Sequence, residues 1–307
     1  MGAGSVTVEK FPTEPRVQEP SELVYRNLTQ AELDREYNAR QSVPSFDAEY
    51  ARYVAESELA KQRIPHHSDV IYDDRTGETM DIYPGEPGAP AFLWVHGGYW
   101  RALSKDDNAF AAAGVVARGL TAAVPNYTLA PAVTLDEIVR QVRKSLAFLS
   151  QHRSSYGIGP GPIMVGGSSA GGHLVGMLLA GGWHEEFGVP DDVIGSALAL
   201  SGLYELEPLR HTHINAWINL DEAAARRNSP LSLIPQRSST KLIASVGGLE
   251  TAEFRRQTVD YAKAWAATGH STETIDMPEH NHFDIALSLR EPDGPLVNAI
   301  MDSVRGK

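Results

Sequence analysis

The chain contains no cysteine, and its basic residues are outnumbered by its acidic ones. Without cysteine, disulfides, thiolate metal sites and a cysteine nucleophile are excluded. The 27 lysines and arginines set against 39 aspartates and glutamates give a formal net charge of −12. Such a surface repels phosphate backbones and anionic lipids, so we expect no nucleic-acid partner.

Long apolar runs are also missing. No stretch is long enough to cross a bilayer, and no apolar stretch follows Met1, so we expect neither a transmembrane helix nor a signal peptide and no membrane partner. The cytoplasm is the expected location, and the lack of cysteine fits a reducing compartment. The oligomeric state stays open, a homodimer included.

Sequence signatures of cofactor sites are absent as well. No G-x-G-x-x-G opens a helix after a strand, and no Walker-type phosphate loop occurs. Three histidine pairs lack the helical spacing and nearby carboxylates of known zinc sites. These pairs are His66 with His67, His211 with His213, and His280 with His282. We therefore expect neither a cofactor nor a catalytic metal.

What the chain does contain is the apolar content of a globular protein, with 42% hydrophobic residues. Residues 1–20 hold three prolines among polar residues and predict a flexible arm. Residues 21–63 carry apolar residues at helical spacing and predict two helices, which either cap the active site or brace the sheet. Beyond them, predicted strands alternate with predicted helices, which favours a mostly parallel sheet with helices on both faces.

The expected fold class is α/β, with eight strands in a mostly parallel sheet, forming one domain over residues 21–307. A cap-like insertion is expected at 203–236, where the alternation of strands and helices breaks. The predicted strands are 69–72, 79–83, 91–96, 121–125, 163–166, 194–200, 241–246 and 272–277. The predicted helices after the first strands are 110–118, 135–149, 174–179, 254–267 and 295–304.

The pattern G-x-S-x-G is met by Gly167, Ser169 and Gly171, after an apolar run and before a helical pattern. This is the setting of a nucleophile elbow, in which a strand turns sharply into a helix and side chains beside the serine would collide with backbone. A glycine- and serine-rich connecting loop is the alternative. The pattern predicts Ser169 as a nucleophile.

A second motif, His96-Gly97-Gly98-Tyr99-Trp100, follows the apolar run 91–95. It matches the glycine-rich oxyanion loop that leaves the third strand of α/β-hydrolases, although an ordinary tight turn has the same composition. Its order relative to the elbow supports the oxyanion interpretation. His96 lies at a strand end, which favours a residue that hydrogen-bonds the loop over a catalytic base.

Candidate acid and base residues follow the last two predicted strands, as the chain order of the fold requires. Glu250 follows strand 241–246, and His282 follows strand 272–277. Glu253 and His280 are the competing candidates. We expect Glu250 to orient His282, and His282 to take the proton of Ser169.

Four aromatic residues, Tyr99, Trp100, Tyr204 and Trp217, are candidates for lining a substrate pocket. Trp100 adjoins the oxyanion loop and Tyr204 follows a strand end. Aromatic residues of an ordinary core are the alternative reading.

With these motifs the chain resembles the arylformamidase (kynurenine formamidase) group of the hormone-sensitive-lipase-like α/β-hydrolases. The resemblance runs from about residue 34 to residue 284, and its most specific motif is HGGxW at residues 96–100. It implies the triad Ser169, Glu250 and His282. It also implies an oxyanion hole built from the N–H groups of Gly98, Tyr99 and Ala170.

Two residues depart from the family pattern and weaken the inference that N-formylkynurenine is the substrate. Glu250 stands where the family usually has aspartate, and Ser168 stands where histidine often precedes the nucleophile. Hydrolysis itself is not put in doubt by either residue.

The sequence thus predicts a serine hydrolase that cleaves an ester or formamide of a small aromatic substrate through an acyl-enzyme. A general short-acyl carboxylesterase or aryl amidase is the alternative within the same class. A binding protein of the same fold that has lost catalysis is the alternative from another class.

Overall fold

The structure, a computed structural model, describes residues 22–304. The predicted arm 1–20 lies outside the described residues. The strands are β1 (Leu23–Tyr25), β2 (Leu28–Thr29), β3 (His67–Asp73), β4 (Glu78–Tyr83), β5 (Ala91–Val95), β6 (Thr121–Pro125), β7 (Ile163–Ser168), β8 (Ile194–Leu200), β9 (Lys241–Gly247) and β10 (Thr272–Met277).

The α-helices are α1 (Gln30–Glu36), α2 (Phe46–Arg63), α3 (Phe110–Ala117), α4 (Leu135–Gln151), α5 (Ala170–Leu179), α6 (His184–Phe187), α7 (Asn215–Ile218), α8 (Glu222–Arg227), α9 (Ala252–Ala267), α10 (Asp284–Leu287) and α11 (Pro295–Val304). Short 3-10 helices span Ala39–Ser42, Asp106–Asn108, Arg153–Tyr156, Glu207–His211, Pro230–Ser232 and Ser288–Arg290.

Eight strands form one sheet in the order β10-β9-β8-β7-β5-β6-β4-β3. From β10 to β6 all neighbours are parallel, whereas β4 pairs antiparallel with both β6 and β3. Each predicted strand is present within two residues of its expected bounds. The predicted fold, a mostly parallel eight-stranded sheet with helices, is confirmed.

Two apolar cores lie on the two faces of the sheet, because successive side chains of a strand point to opposite sides. In β5, Leu93 and Val95 belong to one core, while Phe92 and Trp94 belong to the other. Helices α4, α5 and α9 pack into the first core, and α3 and α11 pack into the second. A strand buried on both faces must be apolar throughout, which explains the continuous run 91–95.

The segment before the sheet contains the two predicted helices, α1 and α2, and also a hairpin that was not predicted. Strands β1 and β2 pair antiparallel ahead of α1. The Thr29 hydroxyl then accepts a hydrogen bond from the Glu32 N–H, and the Glu32 carboxylate accepts one from the Thr29 N–H. This capping box fixes where α1 begins.

Within residues 22–304, no helix combines the length and the apolar composition that crossing a bilayer requires.

Candidate active site

The candidate nucleophile, Ser169, makes the turn between β7 and α5 by itself. Strand β7 ends at Ser168 and helix α5 begins at Ala170, while Ser169 has φ 59° and ψ −121°. This left-handed conformation is costly for a residue with a side chain, and it persists because the surroundings enforce it. A Cβ on Gly171 would lie 2.0 Å from the Val95 carbonyl oxygen. The close approach of the Val95 carbonyl therefore explains why the motif has glycine at position 171.

Glu250 and His282 meet at the ends of β9 and β10. The His282 Nδ1 donates to the Glu250 Oε2 at 2.6 Å, and both side chains are buried. The other carboxylate oxygen, Oε1, accepts from the Ser201 hydroxyl at 2.5 Å and from the Gly247 N–H at 2.7 Å. Because Nδ1 is held by the carboxylate, Nε2 is the imidazole nitrogen left to take a proton.

The competing residues Glu253 and His280 are placed differently. The Glu253 carboxylate accepts hydrogen bonds from the Tyr37 hydroxyl at 2.8 Å and from the Arg256 guanidinium. The His280 carbonyl accepts from the Leu249 N–H. Neither side chain lines the cavity that contains Ser169.

The glycine-rich loop turns sharply after β5. Gly98 has φ 96°, and Tyr99 and Trp100 follow with φ 48° and 59°. A Cβ on Gly98 would lie 2.1 Å from the Ala102 carbonyl oxygen, so only glycine fits there. Among residues 22–304, the N–H groups of Gly98, Tyr99 and Ala170 find no acceptor. Three N–H donors are thus left free beside Ser169.

His96 is fully buried under this loop. Its Nδ1 donates to the Gly97 carbonyl at 2.9 Å, and its ring stacks on Tyr127 with centroids 4.1 Å apart. The Tyr127 hydroxyl in turn donates to the His96 and Gly97 carbonyls. Burial lowers the pKa of His96 to about 4, so the imidazole is neutral near pH 7. These contacts support a role in holding the loop.

One cavity of about 300 Å³ brings Ser169 and His282 together with Gly98 and Tyr99. Six aromatic residues line it: Tyr37, Phe46, Tyr53, Tyr99, Trp217 and Phe283. A larger surface groove of about 790 Å³, beside α2 and α3, contains none of the candidate catalytic residues. Because the smaller cavity contains Ser169 and His282, it is the candidate active site.

Of the four aromatic candidates, the structure places Tyr99 and Trp217 in this cavity. Trp100 is fully buried, and its indole N–H donates to His173 Nδ1 at 3.3 Å. Tyr204 is buried and stacks on Tyr261 with centroids 4.2 Å apart. Trp100 and Tyr204 therefore pack in the core, contrary to the expectation that they line the pocket.

Sequence reasoning left open whether the segment before the sheet caps the site or braces the sheet, and it named none of the residues by which this segment lines the cavity. Tyr37, Arg40, Phe46 and Tyr53 all line the cavity, although they lie more than 100 residues from Ser169 in the chain. It also missed Ser201, which donates to the candidate acid. Ser201 directly follows β8, and its position at the carboxyl edge of a parallel sheet is the signal that points to it.

Comparisons with known proteins identify the family of the chain. A family model described as BD-FAE matches residues 80–191. Kynurenine formamidase of Salmo salar is 30% identical over 291 residues, covering 90% of this chain and 97% of that protein. Kynurenine formamidase of Danio rerio is 28% identical over 293 residues, covering 91% and 98%.

Solved structures give the same fold. A structure from Silicibacter sp. TM1040, provisionally named a thioesterase, superposes with a TM-score of 0.75 at 28% identity and covers 88% of this chain and 99% of its own. Esterase B of Lactobacillus rhamnosis superposes with a TM-score of 0.65 at 18% identity and covers 85% and 92%. The chain belongs to the kynurenine formamidase family, and it is an α/β-hydrolase that acts on ester or amide bonds of small molecules.

Proposed function

We propose that the chain is an arylformamidase with a serine mechanism. His282 Nε2 takes the hydroxyl proton of Ser169 while Oγ attacks the formyl carbon. The N–H groups of Gly98, Tyr99 and Ala170 receive the oxyanion. The protonated His282 then returns the proton to the arylamine nitrogen as the C–N bond breaks.

The second half of the reaction returns the enzyme to its starting state. Water attacks the formyl group on Ser169 and gives its proton to His282, and the serine leaves with that proton as formate is released. Glu250 holds His282 in the required tautomer and stabilises its charged form between the two proton transfers.

The observation that carries this proposal is the shared cavity, which Ser169, His282, Gly98 and Tyr99 line together with further aromatic residues. A flat arylamine suits such a wall, because aromatic rings pack edge-to-face or offset on one another. The formyl group is the smallest acyl group, so nearly all of the cavity remains for the leaving group. The relatives named kynurenine formamidases point to N-formylkynurenine as the formamide to test.

The experiment compares kcat/KM for N-formylkynurenine and p-nitrophenyl acetate in the wild type and in Ser169→Ala. We expect strong formamide turnover that falls by about 10³-fold or more in the variant. Ester turnover without formamide turnover would make the protein a short-acyl carboxylesterase of the same mechanism. Activity that survives in Ser169→Ala would overturn the mechanism.

A further inference from the structure

The charged residues that line the active-site cavity are opposite in sign to the net charge of the chain. The chain carries a formal net charge of −12. Among residues 22–304, the cavity wall nevertheless includes two arginines, Arg40 and Arg101, and neither aspartate nor glutamate. An acidic protein that lines its cavity with cations alone favours the entry of anions there.

The two arginines are held over aromatic rings of the same cavity. The Arg101 guanidinium carbon lies 4.3 Å from the ring centroid of Trp217, and that of Arg40 lies 4.3 Å from the ring centroid of Phe46. A guanidinium stacked on a ring keeps its N–H groups free at its edge, where they can grip a carboxylate with two hydrogen bonds. The rings thus orient both arginines without using their donors.

Neither arginine is neutralised by a carboxylate among residues 22–304. Ten arginines elsewhere in the described residues are paired with carboxylates; Arg227, for example, binds Asp136 at 2.7 and 2.8 Å. Asp34 is engaged by His213, whose N–H and Nδ1 both lie within hydrogen-bond distance of the same Asp34 oxygen. Arg40 and Arg101 line the cavity and are themselves exposed, so they lie where the cavity meets solvent.

We infer that Arg40 and Arg101 form an anion subsite at the mouth of the cavity, which binds a carboxylate carried by the leaving group of the substrate. The inference rests on the proposed function and assigns to it two specificity-determining residues, which would select aryl amides and esters with a carboxylate on the aryl side. The arginines bind and orient this group and take no part in proton transfer. N-formylkynurenine, an amino acid with an α-carboxylate, belongs to this class.

The test uses two acetate esters that differ only in charge, 3-(3-acetoxyphenyl)propanoate and its primary carboxamide. The quantity measured is the ratio of their kcat/KM values, anionic over neutral. We expect a ratio above one in the wild type that falls as salt rises to about 1 M, because salt screens exposed charges. Arg40→Gln and Arg101→Gln should each lower the ratio roughly fivefold, mainly through KM, and the double variant should lower it further.

Two variants serve as controls. Arg101→Lys keeps the charge but loses the planar fork, so it should retain part of the ratio. Arg226→Gln removes an exposed arginine of α8 that pairs with Glu222 outside the cavity, and it should leave the ratio unchanged. A ratio that does not move in the Arg40→Gln and Arg101→Gln double variant would overturn the inference.

These outcomes separate the inference from the proposed function. If the arginine substitutions lower the anionic-over-neutral ratio but the protein does not hydrolyse N-formylkynurenine, the anion subsite is supported and the arylformamidase is rejected. If the protein hydrolyses N-formylkynurenine but the arginine substitutions leave the ratio unchanged, the arylformamidase is supported and the subsite is rejected.

Discussion

At the residue scale, Glu250 uses both carboxylate oxygens, one for His282 and one for Ser201 and the Gly247 N–H. The glutamate side chain is long enough to reach the imidazole at 2.6 Å. Both carboxylate oxygens of Glu250 accept hydrogen bonds, so the side chain must present an acceptor at each position. Replacing one oxygen with an amide nitrogen puts a donor against a donor.

Glu250→Gln should therefore lower kcat strongly, by about 10³- to 10⁴-fold, because the imidazole loses the group that fixes its tautomer. Steady-state kinetics on N-formylkynurenine or p-nitrophenyl acetate measure the change. Glu253→Gln is the matched control: it loosens the bonds to Tyr37 and Arg256 and lowers the thermal midpoint, while kcat stays within about tenfold. Equal losses of kcat in the two variants would contradict the assignment of Glu250.

The position of a single residue in the fold was predictable where a motif places that residue at the end of a strand. Ser169, Glu250 and His282 each follow a strand at a position that the fold prescribes, and the structure brings them to one site. Trp100 and Tyr204 were expected in the pocket on the strength of neighbouring motifs alone. Residue type and adjacency do not say to which side of the sheet a side chain points, and both rings point into the core.

At the element scale, two segments outside the central sheet hold Tyr99. The Tyr99 hydroxyl donates to the Tyr37 carbonyl at 2.6 Å, at the end of α1, and the Tyr99 carbonyl accepts from the Trp217 indole at 3.1 Å, in α7. Tyr99 has a positive φ, which needs such support. The segment 30–38 also reaches the acid loop, since the Thr251 hydroxyl donates to the Glu36 carbonyl at 2.6 Å.

Tyr99→Phe should lower kcat by about tenfold, because the loop that carries two proposed oxyanion donors loses one of its supports. The ring stays in place, so KM should change less than kcat. The measurement is kcat and KM on p-nitrophenyl acetate. Tyr50→Phe removes an exposed hydroxyl bonded to Asp107 outside the cavity and serves as the control. The idea fails if the two variants lose the same fraction of kcat.

Elements with a strong hydrophobic period were predictable, and short or glycine-rich ones were not. All eight strands of the sheet follow from apolar or alternating runs bounded by turn residues. The hairpin β1–β2 was missed because two and three residues are too few to show alternation. Helix α5 begins four residues before its expected start, because Gly171 and Gly172 mark a turn in sequence but serve close packing in the structure.

At the scale of the whole molecule, two fully buried histidines, His96 and His173, make stability depend on pH. Burial lowers the pKa of each to about 4 from an ordinary 6.5. His173 donates from Nε2 to the Asn228 carbonyl and accepts at Nδ1 from the Trp100 indole, which requires the neutral ring. Since the unfolded chain binds a proton near pH 6.5 and the folded one does not, acid favours unfolding.

The free energy of unfolding should therefore fall as the pH drops from about 6.5 towards 4, by roughly 2 kcal/mol per histidine between pH 7 and pH 5. Urea denaturation at the two pH values measures this loss. His173→Gln removes one of the two groups, so its loss between the same pH values should be about 2 kcal/mol smaller than that of the wild type. An identical pH dependence in the two proteins would refute the buried neutral His173.

The most direct test of the account is covalent labelling with a fluorophosphonate, followed by peptide mapping. We predict one adduct, on Ser169, that forms more slowly when N-formylkynurenine is present and does not form in Ser169→Ala. An adduct on another residue, or labelling of Ser169 that N-formylkynurenine leaves unchanged, would contradict the proposed arylformamidase site.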